Sequence, residues 1–582
     1  MGSNSIIVRE YLENLKEDGE LDALFPILIN LMGFRIVATA KEAKGQSQYG
    51  KDIIAIGKDE FGVKHRYYFE LKGHADKDIT DKNYSSKDGV RESIIEAKDT
   101  AFNDSSIPAF NSLPIKIVFV HNGIMKTNIR PTFEGFIARE FKDGEFERWD
   151  IFYLTDLFSQ YLFNENLLTD EHSLRLFKRT LILLDAPEND FSDFRALVDL
   201  QIEKIGENNK GRSFHKFFAT QILLGNVITH YSIENNNLEP AKQCLTYLLL
   251  KTWSWVLSHK LETKPSVIRE FRKLVMLHYK MLDKYFATTF PTACKENGLY
   301  SERGGFFEEA GFPLRSFEYL NYFVYYCQVR QHYPQFLPKV SDVKRTRLLI
   351  KQKSALKKLI ENNDGCHRAI MDYHSITVLN VFRFVLDQYD EDDIRFVADY
   401  LVSIFENIII THQITDRFPL LSQDASILIK AIASDNKEGY EDRSSLLITI
   451  LFELTAILTG EYIYDSFKVG FEGKINLQTA YPNYNVYDIE QLLFEKHFDQ
   501  EFYVETSLSL KNSFKEFRDW MSEKPIEKID YRTDRAGFSY LRTLAHVYYK
   551  NEFFPDSWRS MLSPKKKDVI EENQWEQSSK SK

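Results

Sequence analysis

Asp52, Glu70 and Lys72 combine two carboxylates and an ammonium at a spacing that could do phosphoryl chemistry. They lie in "QYGKDIIAIGKDEFGVKHRYYFELKGH", residues 48–74. Two apolar runs there, Ile53-Ile54-Ala55-Ile56 and Tyr67-Tyr68-Phe69, read as buried strands joined by a charged turn. If those strands pair antiparallel, Asp52 at the start of one lies beside Glu70 near the end of the other. Side chains alternate along a strand, so Glu70 and Lys72 share a face while Leu71 takes the opposite one. Two such carboxylates can share a magnesium ion, which prefers hard oxygen ligands and keeps several waters, leaving room for phosphate oxygens. Lys72 would stand beside the metal-bound water, able to orient it, help lower its pKa or stabilise a pentacoordinate phosphate.

These residues need a sheet to hold them, and the N-terminal sequence supplies one. Leu21, Leu24, Phe25, Leu28, Leu31 and Met32 recur at helical spacing, with Pro26 implying a kink or an early first turn and Gly33 a stop. "FRIVATA" opens an extended segment, "GVRESIIEAKDTAF" reads as a helix, and "IKIVFVHNG" is a β-branched strand stopped at Asn122-Gly123. "WDIFYLTDLFSQYLF" gives a last short strand and a closing helix. This order predicts an α/β domain over residues 1–165, a mixed sheet flanked by helices. From 166 to 560 the period becomes helical throughout, as in "AKQCLTYLLLKTWSWVLSHKL", "SVIREFRKLVMLHYKMLDKYF" and "SLLITILFELTAIL". That predicts a large all-α region without a regular repeat, followed by a polar tail at 561–582.

Composition narrows the function classes. A chain of 582 residues exceeds one core, and 45 Phe with 31 Tyr suit large cores or interfaces. Net charge is −10, and the first 160 residues hold 21 Lys and Arg against 26 Asp and Glu, which argues against a surface that grips nucleic acid all over. Lys51, Lys64, Arg66 and Lys72, with Lys77 and Lys82 beyond, are the local basic cluster nearest the carboxylates, open to phosphate contact or to a solvated face. No GxxxxGK[ST] loop occurs, which counts against ATP hydrolysis. No signal-like or membrane-length apolar segment is found, and four scattered cysteines read as reduced thiols of a cytoplasmic protein.

The pattern of Asp52 followed by Glu70-Leu71-Lys72 resembles the PD-(D/E)xK nuclease superfamily, in particular its Mrr-like and Holliday-junction-resolvase-like members, over residues 10 to 160. The proline before the aspartate is absent, since Gly50-Lys51 precedes Asp52. The resemblance implies a restriction-endonuclease-like fold, Mg2+ or Mn2+ as cofactor, and an acidic residue on the first helix completing the metal site. Asp22 fits that position by its spacing to Gly33-Phe34, and Glu20 fits its usual residue type. Glu42, Glu96, Glu140 and Glu472 also open Glu-x-Lys tripeptides, but without a preceding apolar strand that begins at an aspartate.

The implied function is a metal-dependent endonuclease acting on nucleic acid, DNA in preference. By analogy it would serve as a bacterial anti-phage or restriction effector, controlled by its helical region through homo-oligomerisation or a defence-system partner. Two other readings stand beside it: a non-catalytic binding protein that uses the fold as scaffold, and an RNA-cleaving toxin. For the latter, Arg368-x5-His374 fits the loose Arg-x(4–6)-His pattern of HEPN ribonucleases, although a surface arginine and a core histidine explain it more simply. His65 and His74 flank the main site and could meet phosphate or only solvent.

Pro187 and the acidic run of "DAPENDFSD" interrupt the helical pattern and place a domain junction between residues 165 and 190. Limited proteolysis is expected to cut there and release the N-terminal domain. Cuts confined to the tail beyond residue 560 would contradict it.

Overall fold

Helical spacing from Leu21 onward and strand runs at 53–56 and 67–69 both persist in the computed structural model. It describes residues 3–550 except 40–50, 60, 74–75, 88, 105–106, 162–169, 187–188, 208–209, 333–341, 435–436, 483–487, 495–502, 509 and 524–529. The polar tail, His74, Pro187 and Glu42 therefore lie outside the described residues. Two compact units are present, residues 1–248 with 270–277, and residues 249–269 with 278–582.

The first unit begins with α1 (Ser3–Leu12), a π-helical turn (Glu17–Leu21) and α2 (Asp22–Leu31). Strands β1 (Arg35–Thr39), β2 (Ile53–Lys58) and β3 (Lys64–Lys72) follow, then α3 (Asp81–Ser85), α4 (Val90–Asp99), β4 (Ile115–His121), α5 (Arg130–Glu140), β5 (Phe146–Trp149) and α6 (Ile151–Tyr161). Pro26 is tolerated because it is only the fifth residue of α2, where one backbone donor is lost close to the helix start. The strands line up in chain order as one five-stranded sheet. β1, β2 and β3 pair antiparallel, whereas β3, β4 and β5 run parallel through helical crossovers. The expected mixed sheet with helices is thus present.

Alternation divides the sheet between two cores. On one face Phe69 packs edge-on to Phe25 of α2, ring centroids 5.1 Å apart, and lies 5.6 Å from Trp149. On the other, Phe119 joins Val90 and Ile94 of α4 and Phe133 and Phe136 of α5 in one buried cluster. Helices α7 (Glu171–Ile182), α8 (Ser192–Ile205) and α9 (Gly211–Glu234) belong to the same unit, and α9 packs on α1.

The helical reading of the remainder also holds, from α10 (Glu239–Ser258), α11 (Pro265–Ala293), α12 (Glu308–His332) and α13 (Asp342–Glu361) through α14 (His374–Val385) and α15 (Glu391–Thr415). Helix α16 (Ala425–Ser434) precedes α17 (Leu446–Ile457), which is mostly apolar, with Thr449, Glu453 and Thr455 among its residues, and is buried along its whole length. The expectation of an all-α region needs one correction. A three-stranded sheet of β6 (Ser444–Ser445), β7 (Asn476–Pro482) and β8 (Tyr503–Leu508) lies within it. β6 has only two residues, and β7 and β8 mix Gln478, Thr479, Glu505, Thr506 and Ser507 with their apolar residues, so no strong period advertises them. Among the described residues no helix is long and apolar enough to cross a membrane, and all four cysteines are free thiols.

Phe69 is fully buried and touches the rings of Phe25, Phe34, Tyr67 and Trp149, so it ties β3 to the helical layer. Phe69→Ala is expected to destabilise the first unit by about 3–5 kcal/mol. Denaturant unfolding followed by tryptophan fluorescence checks this, and a loss below about 1 kcal/mol would contradict the packing role.

Candidate active site

The antiparallel register sets Ile53 opposite Phe69, and the backbone N–H of Asp52 donates to the Phe69 carbonyl at 2.9 Å. Asp52 and Glu70 therefore meet at the end of the β2–β3 ladder, as their spacing predicts. The Asp52 Oδ2 accepts the Leu71 backbone N–H at 2.7 Å, which locks the carboxylate against β3. Glu70 is only 3% exposed, and its Oε1 lies 2.9 Å from the Lys72 Nζ. The three residues of the sequence pattern form one cluster.

The acidic residue that reaches this cluster from the helical layer is Glu17. Its Oε1 lies 3.4 Å from the Lys72 Nζ, and its Oε2 accepts the Gly73 backbone N–H at 3.1 Å. Glu20 is engaged elsewhere, accepting from the Lys16 backbone at 2.7 Å and pairing with Lys216 of α9 at 2.6 Å. Asp22 begins α2, half-buried, one residue beyond the π-turn. The turn explains why helix counting missed Glu17: the Leu21 N–H bonds the Lys16 carbonyl, five residues back, so the last acid of an ordinary helical face is not the one presented. A signal was available in Gly73. A Cβ there would stand 2.8 Å from the Glu17 backbone nitrogen, so only glycine lets the end of β3 abut the turn.

Buried polar contacts fix that turn to the sheet. The Asn122 amide, wholly inaccessible, donates to the Leu12 and Leu15 carbonyls at 2.7 and 3.0 Å, tying the end of α1 to the end of β4. Lys77 donates to the Glu13 carbonyl at 2.8 Å. His121, which pairs with Lys72 across the parallel ladder, bonds the Lys77 carbonyl through Nδ1 and stacks on Phe119. Burial pushes its imidazole down to about 4, so it is neutral at physiological pH. The Leu12 carbonyl also accepts the Leu15 N–H at 3.1 Å, so the Asn122 amide reinforces the turn that closes α1.

Electrostatics show what the cluster lacks. Burial, together with the nearby Glu70 charge, lifts Asp52 to about 8, even though the Leu71 N–H and the Lys72 ammonium pull the other way. Burial also raises Glu17, against the opposing pull of Lys72. Burial works against the charged form of Lys72, but Glu70, Glu17 and Asp52 outweigh it and hold the ammonium above its ordinary value. Lys51, buried 5.3 Å from the Tyr68 ring, is depressed to about 8 by burial despite Glu70 and Glu96. Three carboxylates thus compete for Lys72, and a further cation would relieve their repulsion.

A divalent ion fits this donor set only in part. Among the described residues no three His, Cys, Asp or Glu side chains form a group that could hold a metal. Asp52 and Glu70 would contribute two carboxylates, and water with phosphate would complete the shell, which suits magnesium better than an all-protein cage.

The expected basic cluster proves to be mostly internal. Arg66 is buried and donates to the Leu113, Phe102 and Asn111 carbonyls, while Lys72 and Lys77 are engaged as described. His65 pairs with Asp59 in the β2–β3 turn at 2.9 Å. In the second unit His374 is buried and stacked on Phe317 at 3.9 Å, a core ring and not one presented to substrate. An open cleft of about 1250 Å3, lined by Arg66, Tyr67, Lys116, Glu147, Trp149 and Tyr153 among others, lies toward the opposite end of β3 and includes none of Glu17, Asp52, Glu70 and Lys72. Compared with known family models, curated proteins and solved structures, the chain matches none.

The raised Asp52 has a consequence for stability. The native state holds a proton that the unfolded chain releases above an ordinary aspartate pKa of about 3.9. That contribution is full below the unfolded value and is lost as pH rises through about 8. In divalent-free buffer the first unit is expected to lose stability between pH 5 and pH 8, and Asp52→Asn should flatten the loss. Thermal melts across that range check it, and an equally steep loss in the variant would contradict the assignment.

Proposed function

We propose that the first unit is a metal-dependent phosphodiesterase that cleaves nucleic acid, DNA in preference, on a restriction-endonuclease-like sheet. The observation that carries this reading is the convergence of Asp52, Glu70 and Lys72 at the end of one strand pair, with a third acid, Glu17, holding the lysine. Burial, with the Glu70 charge beside it, raises Asp52 far above its ordinary value, a cost that a bound cation would offset.

Asp52 and Glu70 would hold Mg2+ or Mn2+, which when bound supplies Lewis-acid activation of water and phosphate. Lys72 remains fully charged at working pH and can donate to a phosphoryl oxygen or fix the attacking water. Glu17 would help position Lys72, which lies between it and Glu70. Leu71, through its backbone N–H, turns one Asp52 oxygen inward and leaves the other for a ligand. Glu20 and Asp22 are the alternative acids for the metal shell.

The closed Lys72–Glu70 pair at 2.9 Å is also what a non-catalytic scaffold would show, so a binding protein is the second reading. An RNA-cleaving toxin would use the same cluster on a different substrate. The wider role, a bacterial defence effector that acts as a homo-oligomer or with a partner protein, rests on analogy with nucleases joined to large helical regions.

Purified protein is expected to cleave duplex DNA with Mg2+ or Mn2+ and to stop with EDTA. Asp52→Asn or Lys72→Ala should lower the rate by at least about 100-fold, the scale for loss of one group that stabilises developing charge. Parallel assays on duplex DNA, single-stranded DNA and RNA assign the substrate. Cleavage undiminished by either substitution would refute the site, and no cleavage of any of the three would favour the scaffold reading.

A further inference from the structure

Helix α13 runs against the charge balance of the chain. It carries seven basic residues, Lys344, Arg345, Arg347, Lys351, Lys353, Lys357 and Lys358, against Asp342 and Glu361, in a protein of net charge −10. Lys353 and Lys357 are accounted for, since both pair with Asp393 of α15 at 2.7 and 2.6 Å. Lys344, Arg345, Arg347, Lys351 and Lys358 are exposed and have no carboxylate partner among the described residues.

Spacing arranges four of these five in a line. At 100° per residue, Lys344, Arg347, Lys351 and Lys358 fall within an arc of about 60° and span about 21 Å of helix. The exposed Ser354 lies at the edge of the same stripe. The opposite side of the helix is spent on packing, for Leu349, Leu356, Leu359 and Ile360 are buried. A basic amphipathic helix that enters a lipid surface needs a free apolar face, and α13 has already committed its own. A straight row of unpaired cations instead matches a regularly charged polymer, whose phosphates recur every ~3.4 Å along each strand.

We infer that the exposed stripe of α13 binds the phosphate backbone of duplex DNA. The choice of DNA rests on the nuclease reading of the first unit; the presence of a polyanion site does not. Most of the lysines and arginines nearest the carboxylate cluster are committed internally, so the site itself has few charges to spare for the backbone. The stripe supplies phosphate contacts without base readout, so binding is independent of sequence and sensitive to salt.

The test uses the full chain in EDTA, which separates binding from cleavage. Fluorescence anisotropy of a labelled duplex, titrated over a series of salt concentrations, gives the slope of log K against log salt. Replacing Lys344, Arg347, Lys351 and Lys358 together by Gln should flatten that slope by about 3.6, at roughly 0.9 for each phosphate no longer neutralised. Arginine at positions 344, 351 and 358 should preserve it, which guards against a merely misfolded variant. An unchanged slope in the glutamine variant overturns the inference, as does binding of phosphatidylserine vesicles but not of DNA. Intact binding with no cleavage by wild-type protein would count against the nuclease reading alone. Intact cleavage with an unchanged slope would count against the stripe alone.

Discussion

A single ammonium, that of Lys72, is what allows acids from two parts of the chain to occupy one buried place. Glu70 reaches it from the same strand and Glu17 from the turn before α2, with Asp52 close enough for its charge to be felt. Without that cation the buried Glu70 would lose its ion-pair partner, at a cost on the order of several kcal/mol, and the half-buried Asp52 and Glu17 would lose a neighbouring charge. The fold accordingly closes around the lysine. Gly73 admits the turn, Asn122 fastens α1 to β4, and the Leu71 N–H takes one oxygen of Asp52.

The pairing is incomplete in a way that bears on function. Lys72 faces three acids, with the Lys51 ammonium also within reach of the Glu70 charge, and burial first and Glu70 second hold Asp52 raised. A purely structural ion pair would be matched in charge and hydrogen-bonded on all sides. Under the metal-binding reading, a second cation at this place would offset the cost of that arrangement. Nucleic acid would bring its own negative charge to this place, so any affinity for it must come from the ion and from basic surface elsewhere.

Much of the scaffold was legible because burial imposes a period. Ile53–Ile56, Tyr67–Phe69 and the β-branched run at 115–121 are apolar for most of their length, as strands covered on both faces must be, and the structure places all three at the centre of the sheet. The juxtaposition of Asp52 with Glu70 followed from antiparallel pairing alone. Glu17 did not: Asp22 was selected by its spacing to Gly33-Phe34 and Glu20 by residue type, and neither criterion foresees a π-turn that begins at Glu17. Arg66 looked like part of a phosphate-binding cluster, yet it spends its guanidinium on three loop carbonyls, a use that no local pattern reveals. The small sheet of the second unit escaped notice for the converse reason: polar residues break up the apolar runs of β7 and β8, and β6 has only two residues.

Everything proposed for the site turns on Asp52 and Glu70 together receiving a divalent cation. The most direct test is a crystal of the full protein grown with Mn2+ and measured at the manganese absorption edge. One anomalous peak is expected to bridge the two carboxylates, at distances of about 2.1 Å typical of hard oxygen ligands. A map with no peak there, and with the Lys72 ammonium still seated on Glu70, would contradict it.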